Sequence, residues 1–185
     1  MDLRVQRTKK NIINAFLKLR SKKPLEKISV KELAEQAEIN KATFYLHYKD
    51  IYDLSEALEN ELIEKIFLAI EHPDAALSDP KLFARELSDA FISHRAMTDI
   101  VFSGGRNGIP MERMEKRIKD YIFDMYPELK NNEAVNILLT YSIMGGYYAF
   151  VENIGCEMDL LMSVIGDIAQ CAVQNIIGKN FQNKY

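Results

Sequence analysis

The chain has 185 residues, of which 48% are hydrophobic, so it is long and apolar enough for a folded core and is not a disordered protein. Five prolines, eight glycines and few strand-like alternations predict an all-helical protein. A net charge of −3 excludes a protein that coats nucleic acid without regard to sequence.

Charge is distributed unevenly along the chain. Residues 1–50 contain 12 Lys or Arg and 6 Asp or Glu, a net charge of +6. The whole chain has 24 basic and 27 acidic residues, so the remainder holds 12 basic and 21 acidic residues, a net charge of −9. A cationic N-terminal part suits contact with phosphates, and an acidic remainder limits nonspecific binding.

The first predicted helix follows a short basic arm, Met1–Arg7. Thr8 is predicted to cap this helix, which continues to about Arg20. Lys9 and Lys10 would then lie in its first turn, where free backbone N–H groups and the helix dipole favour an anion. We therefore expect these two lysines to bind a phosphate.

A second, short helix is signalled by Ser29 and Glu32, which are spaced as a capping box. One apolar stripe follows at helical spacing: Val30, Leu33, Ala34 and Ala37. Glu38-Ile39-Asn40 is predicted to be a turn, and Asn40 to cap a third helix from Lys41 to about Tyr48.

The third helix divides into an inward and an outward set of side chains. Phe44 and Tyr48 are four residues apart and can both face the core. The outward set is Lys41, Ala42, Thr43, Tyr45 and His47. A small polar helix supported by a capped partner is typical of a recognition helix that enters a major groove. Lys49 follows it, and Asp50 is predicted to cap the next helix.

Five further helices are predicted in the rest of the chain. Their expected ranges are 50–72, 81–103, 111–125, 131–154 and 159–179. The 131–154 segment is apolar on nearly every side, so we expect it to be buried on every side, which needs more partners than one chain readily supplies. Gly145-Gly146 lies in the middle of this helix. The pair predicts a close approach of another backbone, a kink in the helix or room for a ligand.

We find no motif for catalysis or for a cofactor. Cys156 and Cys171 lack zinc-site spacing and are predicted to be free, buried thiols in a reducing cytosol. Gly104-Gly105 follows no strand, so it is not a phosphate loop. The longest apolar run, Ile137–Val151, has about 15 residues and a span needs about 20, so we predict no membrane segment. The expectation is a cytoplasmic protein that is not an enzyme.

The string TFYLHYKD, preceded by a capped Ser-x-x-Glu helix, resembles the DNA-binding half of the tetracycline-repressor (TetR) family over about Thr8–Leu58. The resemblance implies a helix-turn-helix domain at 1–52 and a helical regulatory and dimerisation domain at 53–185. It also implies a homodimer that pairs through the last two helices and represses by binding a palindromic double-stranded DNA operator. A small-molecule effector would release the DNA.

The resemblance also assigns roles in DNA contact. Lys41, Ala42 and Thr43 stand at positions for base edges and nearby contacts. Tyr45, His47 and Lys49 stand at positions that clamp phosphates. Ser29 and Lys31 match a further phosphate contact. Three residues depart from the family pattern: Leu46 stands where an aromatic residue is frequent, Ile51 where a basic residue is frequent, and Ala42 where glycine or proline is common. These departures leave open which base is read.

Effector-binding residues are expected in the C-terminal part. The candidates are Phe91, Arg95, Met97, Phe102, Tyr141, Met144, Tyr147 and Tyr148, and the alternative for each is ordinary core or dimer interface. Arg95 would receive an acidic ligand. The rival interpretation of the whole chain is a helical adaptor or an enzyme-like body that carries a vestigial DNA-binding domain.

Overall fold

The computed structural model describes residues 3–103, 109–153 and 155–182, and these contain ten α-helices and no β-strand. The predicted all-α fold is confirmed. The N-terminal helices are α1 (Leu3–Arg20), α2 (Val30–Gln36), α3 (Lys41–Tyr45), α4 (Ile51–Leu68) and α5 (Ala75–Ser78). The others are α6 (Pro80–Ser93), α7 (Arg95–Val101), α8 (Ile109–Met125), α9 (Glu133–Glu152) and α10 (Met158–Gln182).

The chain divides into two compact units. The head unit comprises Met1–Leu62 with Arg95–Asn107, and the body unit comprises Ile63–His94 with Gly108–Tyr185. The division lies after Leu62, further along α4 than the boundary expected after residue 52, and α7 belongs with the N-terminal helices.

The head unit is a small helical domain around one apolar core. Helix α1 packs on α2 and on α7, and α2 packs on α3. The buried core residues are Ile12, Ala15, Phe16, Leu19, Ile28, Leu33, Ala37, Phe44, Ile51, Leu54 and Leu58. Leu33 and Ala37 belong to the predicted apolar stripe of α2, and Phe44 belongs to the predicted inward set of α3, so apolar spacing located this part of the core.

Three side chains cap the helices of the head unit as predicted. Ser29 Oγ accepts a hydrogen bond from the Glu32 backbone N–H at 3.2 Å. Asn40 Oδ1 accepts one from the Thr43 N–H at 2.7 Å. Asp50 Oδ1 accepts a hydrogen bond from the Asp53 N–H at 2.8 Å. Each cap satisfies an N–H that the helix itself leaves without a partner.

The start of α1 was predicted wrongly. The helix begins at Leu3, and the Thr8 hydroxyl donates to the Arg4 carbonyl at 3.0 Å from within the helix. A hydroxyl that donates to the carbonyl of the preceding turn belongs to a helix interior, whereas an N-cap oxygen accepts from an N–H of the turn that follows it. Lys9 and Lys10 therefore do not lie in the first turn, and the dipole argument for them fails.

Arg20 ties the end of α1 to the segment after α7. The residue is only 7% exposed, and its guanidinium donates to the Lys23 carbonyl at 3.4 Å and to the Ser103 carbonyl. Its Nε has no hydrogen-bond partner among the described residues. This contact within the head unit joins residues that are 83 positions apart in sequence.

The body unit is built on α10. Helices α6 and α9 both pack against α10, and α8 packs against α9. The approach of α6 is closest at Gly166, where an added Cβ would lie 2.7 Å from Lys81 Cγ and 3.1 Å from its Cα. Lys81 Nζ lies 2.8 Å from Asp167 Oδ1 beside this contact. Glycine therefore allows α6 and α10 to meet at this point.

The single helix predicted at 81–103 is two helices that break at His94. Ser93 Oγ and His94 Nδ1 lie 2.8 and 2.9 Å from the Ala90 carbonyl. In a continuing helix that oxygen would accept the His94 backbone N–H, which bonds to Phe91 instead. These local side-chain hydrogen bonds thus compete with the backbone hydrogen bonds of the helix.

The predicted 50–72 helix ends earlier than expected, since α4 ends at Leu68.

Within the described residues of a single chain, helix α9 is not buried on every side, so its all-round burial stays a prediction that needs a second chain. Four of its large apolar side chains are exposed: Ile137, Tyr141, Tyr148 and Val151. Four more are exposed on α10: Leu160, Val164, Ile168 and Ile176. Cys156 and Cys171 are also exposed, not buried.

Two helices of the body unit are long and apolar enough to cross a membrane by length and composition, Glu133–Glu152 and Met158–Ile177. The sequence argument against a span rested on a shorter run, so it does not hold for these helices. Core helices of soluble proteins pass the same test.

An ion pair closes the loop after α4. Glu86 on α6 accepts hydrogen bonds from the His72 backbone N–H at 2.8 Å and from its Nδ1 at 2.7 Å. The bond from Glu86 raises the pKa of His72, and the charges of Glu86, Glu71 and Asp74 add to this. Partial burial alone would raise the pKa of Glu86, but the His72 bonds outweigh it, so this pKa is lowered.

We expect His72→Gln to destabilise the protein most between about pH 4.5 and 6.5. The Glu86 contribution is lost as pH falls through its lowered pKa, and the His72 contribution is lost as pH rises through its raised pKa. Thermal melts of both proteins from pH 4 to 9 measure the difference. His94→Gln is the control, because its ring bonds a hydroxyl and a carbonyl rather than a carboxylate. A difference in melting temperature that stays constant with pH would contradict the ion pair.

Candidate nucleic-acid interface

Helices α2 and α3 form a two-helix corner. Glu38 in the turn adopts a left-handed backbone conformation with φ 56°, which is unusual for a residue other than glycine. The turn is closed by hydrogen bonds from the Ile39 N–H to the Ala34 carbonyl at 3.0 Å and from the Glu38 N–H to the Glu35 carbonyl at 3.2 Å. These bonds hold α3 at a fixed angle to α2.

Phe44 anchors α3 to the head unit. Its side chain is completely buried, and its ring centroid lies 5.5 Å from that of Tyr45 and 5.9 Å from that of Tyr48. Helix α3 is short and ends at Tyr45 rather than near Tyr48, so it has little stability of its own. The buried ring therefore determines where the outer face of α3 points.

The outer face of α3 and the residues after it are polar and accessible. Lys41, Ala42, Tyr45 and Lys49 are exposed, and Thr43 and His47 are half-buried. Thr43 Oγ1 donates to Asn40 Oδ1 at 2.9 Å, which leaves its methyl group and its oxygen lone pairs for other contacts. One short segment thus presents two ammonium groups, two methyl groups, a phenol and an imidazole.

The remaining predicted contacts lie on α1 and at the start of α2. Ser29 is exposed and carries the α2 cap. Lys31 is exposed, and its Nζ is 4.0 Å from Glu35 Oε1, a surface pair too weak to hold the lysine. On α1, Lys10 is exposed and Lys9 is half-buried. These four residues remain accessible to a phosphate.

Tyr48 supports the segment that follows α3. Burial raises its pKa above the usual 10.0, and the carboxylates of Glu61 and Asp53 raise it further. The phenol therefore stays neutral and can donate a hydrogen bond at any physiological pH. Asp53 Oδ2 also accepts a hydrogen bond from the Lys49 N–H at 2.9 Å, which fixes the backbone of Lys49.

Leu46 and Tyr52 were not predicted as site residues. Leu46 lies between Tyr45 and His47 and is 82% exposed, and Tyr52 on the first turn of α4 is 57% exposed. An exposed leucine beside a polar helix can contact the methyl group of thymine. The sequence signal was available, since Leu46 replaces a frequent aromatic residue, but exposure could not be judged without coordinates.

The body unit contains an apolar cavity of about 70 Å³ between α6, α8, α9 and α10. We call it the apolar cavity. Its polar lining residues are Ser88, Ser142 and Tyr147, and Phe91 lies 6.1 Å from Tyr147 between ring centroids. The other lining residues are Ala76, Pro80, Phe83, Ala84, Leu87, Met111, Ile118, Leu138, Leu139, Ile143, Gly146, Phe150, Ile165, Ala169 and Val173.

Of the predicted effector residues, the structure brings Phe91 and Tyr147 to the apolar cavity. Arg95, Met97 and Phe102 belong to the head unit, because the chain breaks at His94. The Arg95 side chain is exposed and lies 3.6 Å from Asp99 on the same helix. Three predicted residues of α9 also lie outside the cavity lining: Tyr141, Met144 and Tyr148.

The two faces of α9 explain this separation. Residues 138, 139, 142, 143, 146, 147 and 150 line the cavity at helical spacing. Tyr141 and Tyr148 are on the other side and are exposed. Because α9 is apolar almost all round, its sequence could not indicate which face would line a cavity.

Glu71, His72 and Glu86 place one ligand atom each within 4.8 Å of one another, which is a spacing a metal ion could use. In the structure Glu86 is already engaged by both His72 bonds. The ion pair accounts for this group without a metal.

Comparison with known proteins identifies the head unit. The family model for bacterial regulatory proteins of the tetR family matches residues 12–58. A search of curated proteins and a search of solved structures found no match. The matched segment begins in α1, includes α2 and α3, and ends in α4, so it contains the whole two-helix corner. Residues 12–58 therefore carry the DNA-binding domain of the TetR family, and this match supports a DNA-binding transcriptional regulator.

Proposed function

We propose that the protein is a cytoplasmic homodimeric repressor that binds a palindromic operator through α3 and is released by a small molecule bound in the body unit. The observation that carries this proposal is the accessible polar face of α3, which Asn40 caps and buried Phe44 anchors. Regulators of this family are generally non-enzymatic.

The DNA contacts follow from the chemistry of the exposed groups. The Lys41 ammonium suits the O6 and N7 acceptors of guanine, and the methyl groups of Ala42 and Thr43 suit a thymine methyl. The groups assigned to phosphates are those of Lys9, Lys10, Ser29, Lys31, Tyr45, His47 and Lys49. Phosphate contacts set position and affinity, whereas base contacts set sequence preference.

The exposed apolar residues of α9 and α10 support a dimer. Their side chains form one accessible apolar set on the last two helices, and such a set marks an interface with another chain. Two copies related by a twofold axis would present two α3 helices to half-sites about 34–36 Å apart or a multiple of that. This arrangement requires a palindromic operator. The exposed apolar side chains would then be buried against the second copy and not in a membrane.

Effector release requires that the ligand bind the DNA-free form better than the DNA-bound form. Coupling of this kind is typically worth about 1–3 kcal/mol. The apolar cavity is the candidate location, since it lies in the body unit among the helices that follow the DNA-binding segment.

We expect Tyr45→Ala and Lys49→Ala to weaken binding to the operator and to random DNA alike. Lys41→Ala and Thr43→Ala should instead relax base preference, at about 1–3 kcal/mol for each lost contact. The operator is first selected from random duplexes, and anisotropy titrations at several salt concentrations then give the affinities. Lys49→Ala should also lower the salt slope by about one.

The control is Lys116→Ala in the body unit, where the lysine pairs with Asp120 on the surface. It should change neither affinity. An unchanged selected sequence for Lys41→Ala and Thr43→Ala would contradict the base contacts. A wild-type protein whose DNA binding does not depend on salt would favour the rival adaptor.

A further inference from the structure

Two serines line the apolar cavity, and their hydroxyls differ in hydrogen bonding. Ser88 Oγ donates to the Ala84 carbonyl at 2.8 Å, the usual bond of a helical serine to the preceding turn. Ser142 Oγ is buried and has no hydrogen-bond partner among the described residues. A buried hydroxyl without a partner is destabilising unless something else satisfies it. Ser142 is thus a polar group that lacks a partner in an apolar wall.

The surroundings of Ser142 disfavour a charge. None of the described residues that line the cavity is Asp, Glu, Lys or Arg. Burial raises the pKa of Tyr147, and neighbouring Tyr148 raises it further, so the phenol is neutral. A charged ligand group would lose its hydration in this cavity and gain no ion pair.

We propose that the apolar cavity binds a small, neutral, largely apolar molecule whose single polar group hydrogen-bonds to Ser142 Oγ. This inference rests on the proposed effector function and gives the chemical class of its ligand. It replaces the acidic ligand expected from Arg95, since Arg95 lies outside the cavity and is exposed beside Asp99.

The size of the cavity limits the ligand. A volume of about 70 Å³ is less than half of the roughly 150 Å³ of an engineered cavity that holds benzene. A ligand as large as a benzene ring must therefore move the wall. Phe91 and Tyr147 line the cavity and are partly exposed, so a rotation of their rings is the movement that would widen it. Larger ligands would enter between these two rings.

Four benzene derivatives of similar size test the proposal: benzyl alcohol, toluene, benzoate and benzylamine. Their dissociation constants for the full-length protein are measured by calorimetry near neutral pH. Benzyl alcohol should bind about 2- to 10-fold tighter than toluene, as expected for one neutral hydrogen bond. Benzoate and benzylamine should bind at least about 100-fold more weakly, because no opposite charge meets them.

Two matched variants separate the hydroxyl from the cavity. Ser142→Ala should bind toluene at least as well as the wild type and should lose the preference for benzyl alcohol. Ser88→Ala should keep that preference, since its hydroxyl already bonds to Ala84. Ala169→Leu, which fills the cavity from α10, should abolish binding of both probes while circular dichroism confirms the helical fold.

The proposal is overturned if either charged probe binds as tightly as benzyl alcohol. It is also overturned if Ser142→Ala retains the preference, or if no probe binds saturably to the wild type. The effect of benzyl alcohol on DNA affinity is a separate readout. Binding of the probe without any loss of DNA affinity leaves the cavity assignment intact and contradicts effector release.

Discussion

Replacing Ile137 with glutamate is expected to convert the proposed homodimer into monomers at micromolar concentration. Ile137 is 70% exposed on α9, in the same accessible set as Tyr141 and Tyr148. Burying an isoleucine side chain contributes about 1.5–3 kcal/mol to the free energy of association. In a twofold-symmetric interface the same contact occurs twice. A carboxylate at this position would also have to be buried without a partner, which adds to the cost.

Leu68→Glu is the matched control for this variant. Leu68 is 74% exposed, but it ends α4 and does not lie on α9 or α10. Light scattering should give the mass of a monomer for Ile137→Glu and of a dimer for Leu68→Glu. Operator affinity should fall by roughly 10²–10⁴ for the monomer, since the second half-site no longer binds intramolecularly. A stable dimer of Ile137→Glu would place the interface elsewhere.

Phe44→Ala is expected to unfold the two-helix corner. The ring is completely buried and contacts both Tyr45 and Tyr48, and truncating a buried phenylalanine costs about 3–5 kcal/mol. That is a large part of the roughly 5–15 kcal/mol that stabilises a typical domain. Specific and nonspecific DNA binding should both be lost, although Phe44 itself lies inside the protein.

The loss must be separated from damage to the whole protein. Hydrogen exchange should show faster exchange in α1, α2 and α3 of Phe44→Ala, while the helices of the body unit keep their protection. Phe44→Leu should retain the fold with reduced stability. If Phe44→Ala keeps native exchange in α3 and native DNA affinity, the buried ring does not position the helix.

The parts of the fold that sequence predicted are those governed by neighbours in the chain. The caps at Ser29, Asn40 and Asp50 each use a side chain and an N–H three residues later. The core of the head unit likewise follows from apolar spacing within single helices. This local information also located the outer face of α3 before any coordinates, because Phe44 and Tyr48 defined its inner side.

The parts that sequence did not predict depend on competition or on distant contacts. At His94 two side chains take the carbonyl that the helix needs, and nothing in the apolar spacing signals this. Arg20 finds its acceptor 83 residues away. On α9 the cavity face and the exposed face have similar composition, so only packing distinguishes Ser142 from Tyr141.

Helix α7 packs with the N-terminal helices, and this has a consequence for synthesis and for protein engineering. On the ribosome, the buried guanidinium of Arg20 can reach its acceptor only after residue 103 has left the exit tunnel, so the DNA-binding part matures late. A chimera that transplants the first 62 residues alone would leave this acceptor behind. A chimera that transfers the DNA specificity to another regulator must therefore also include the α7 segment of the donor protein.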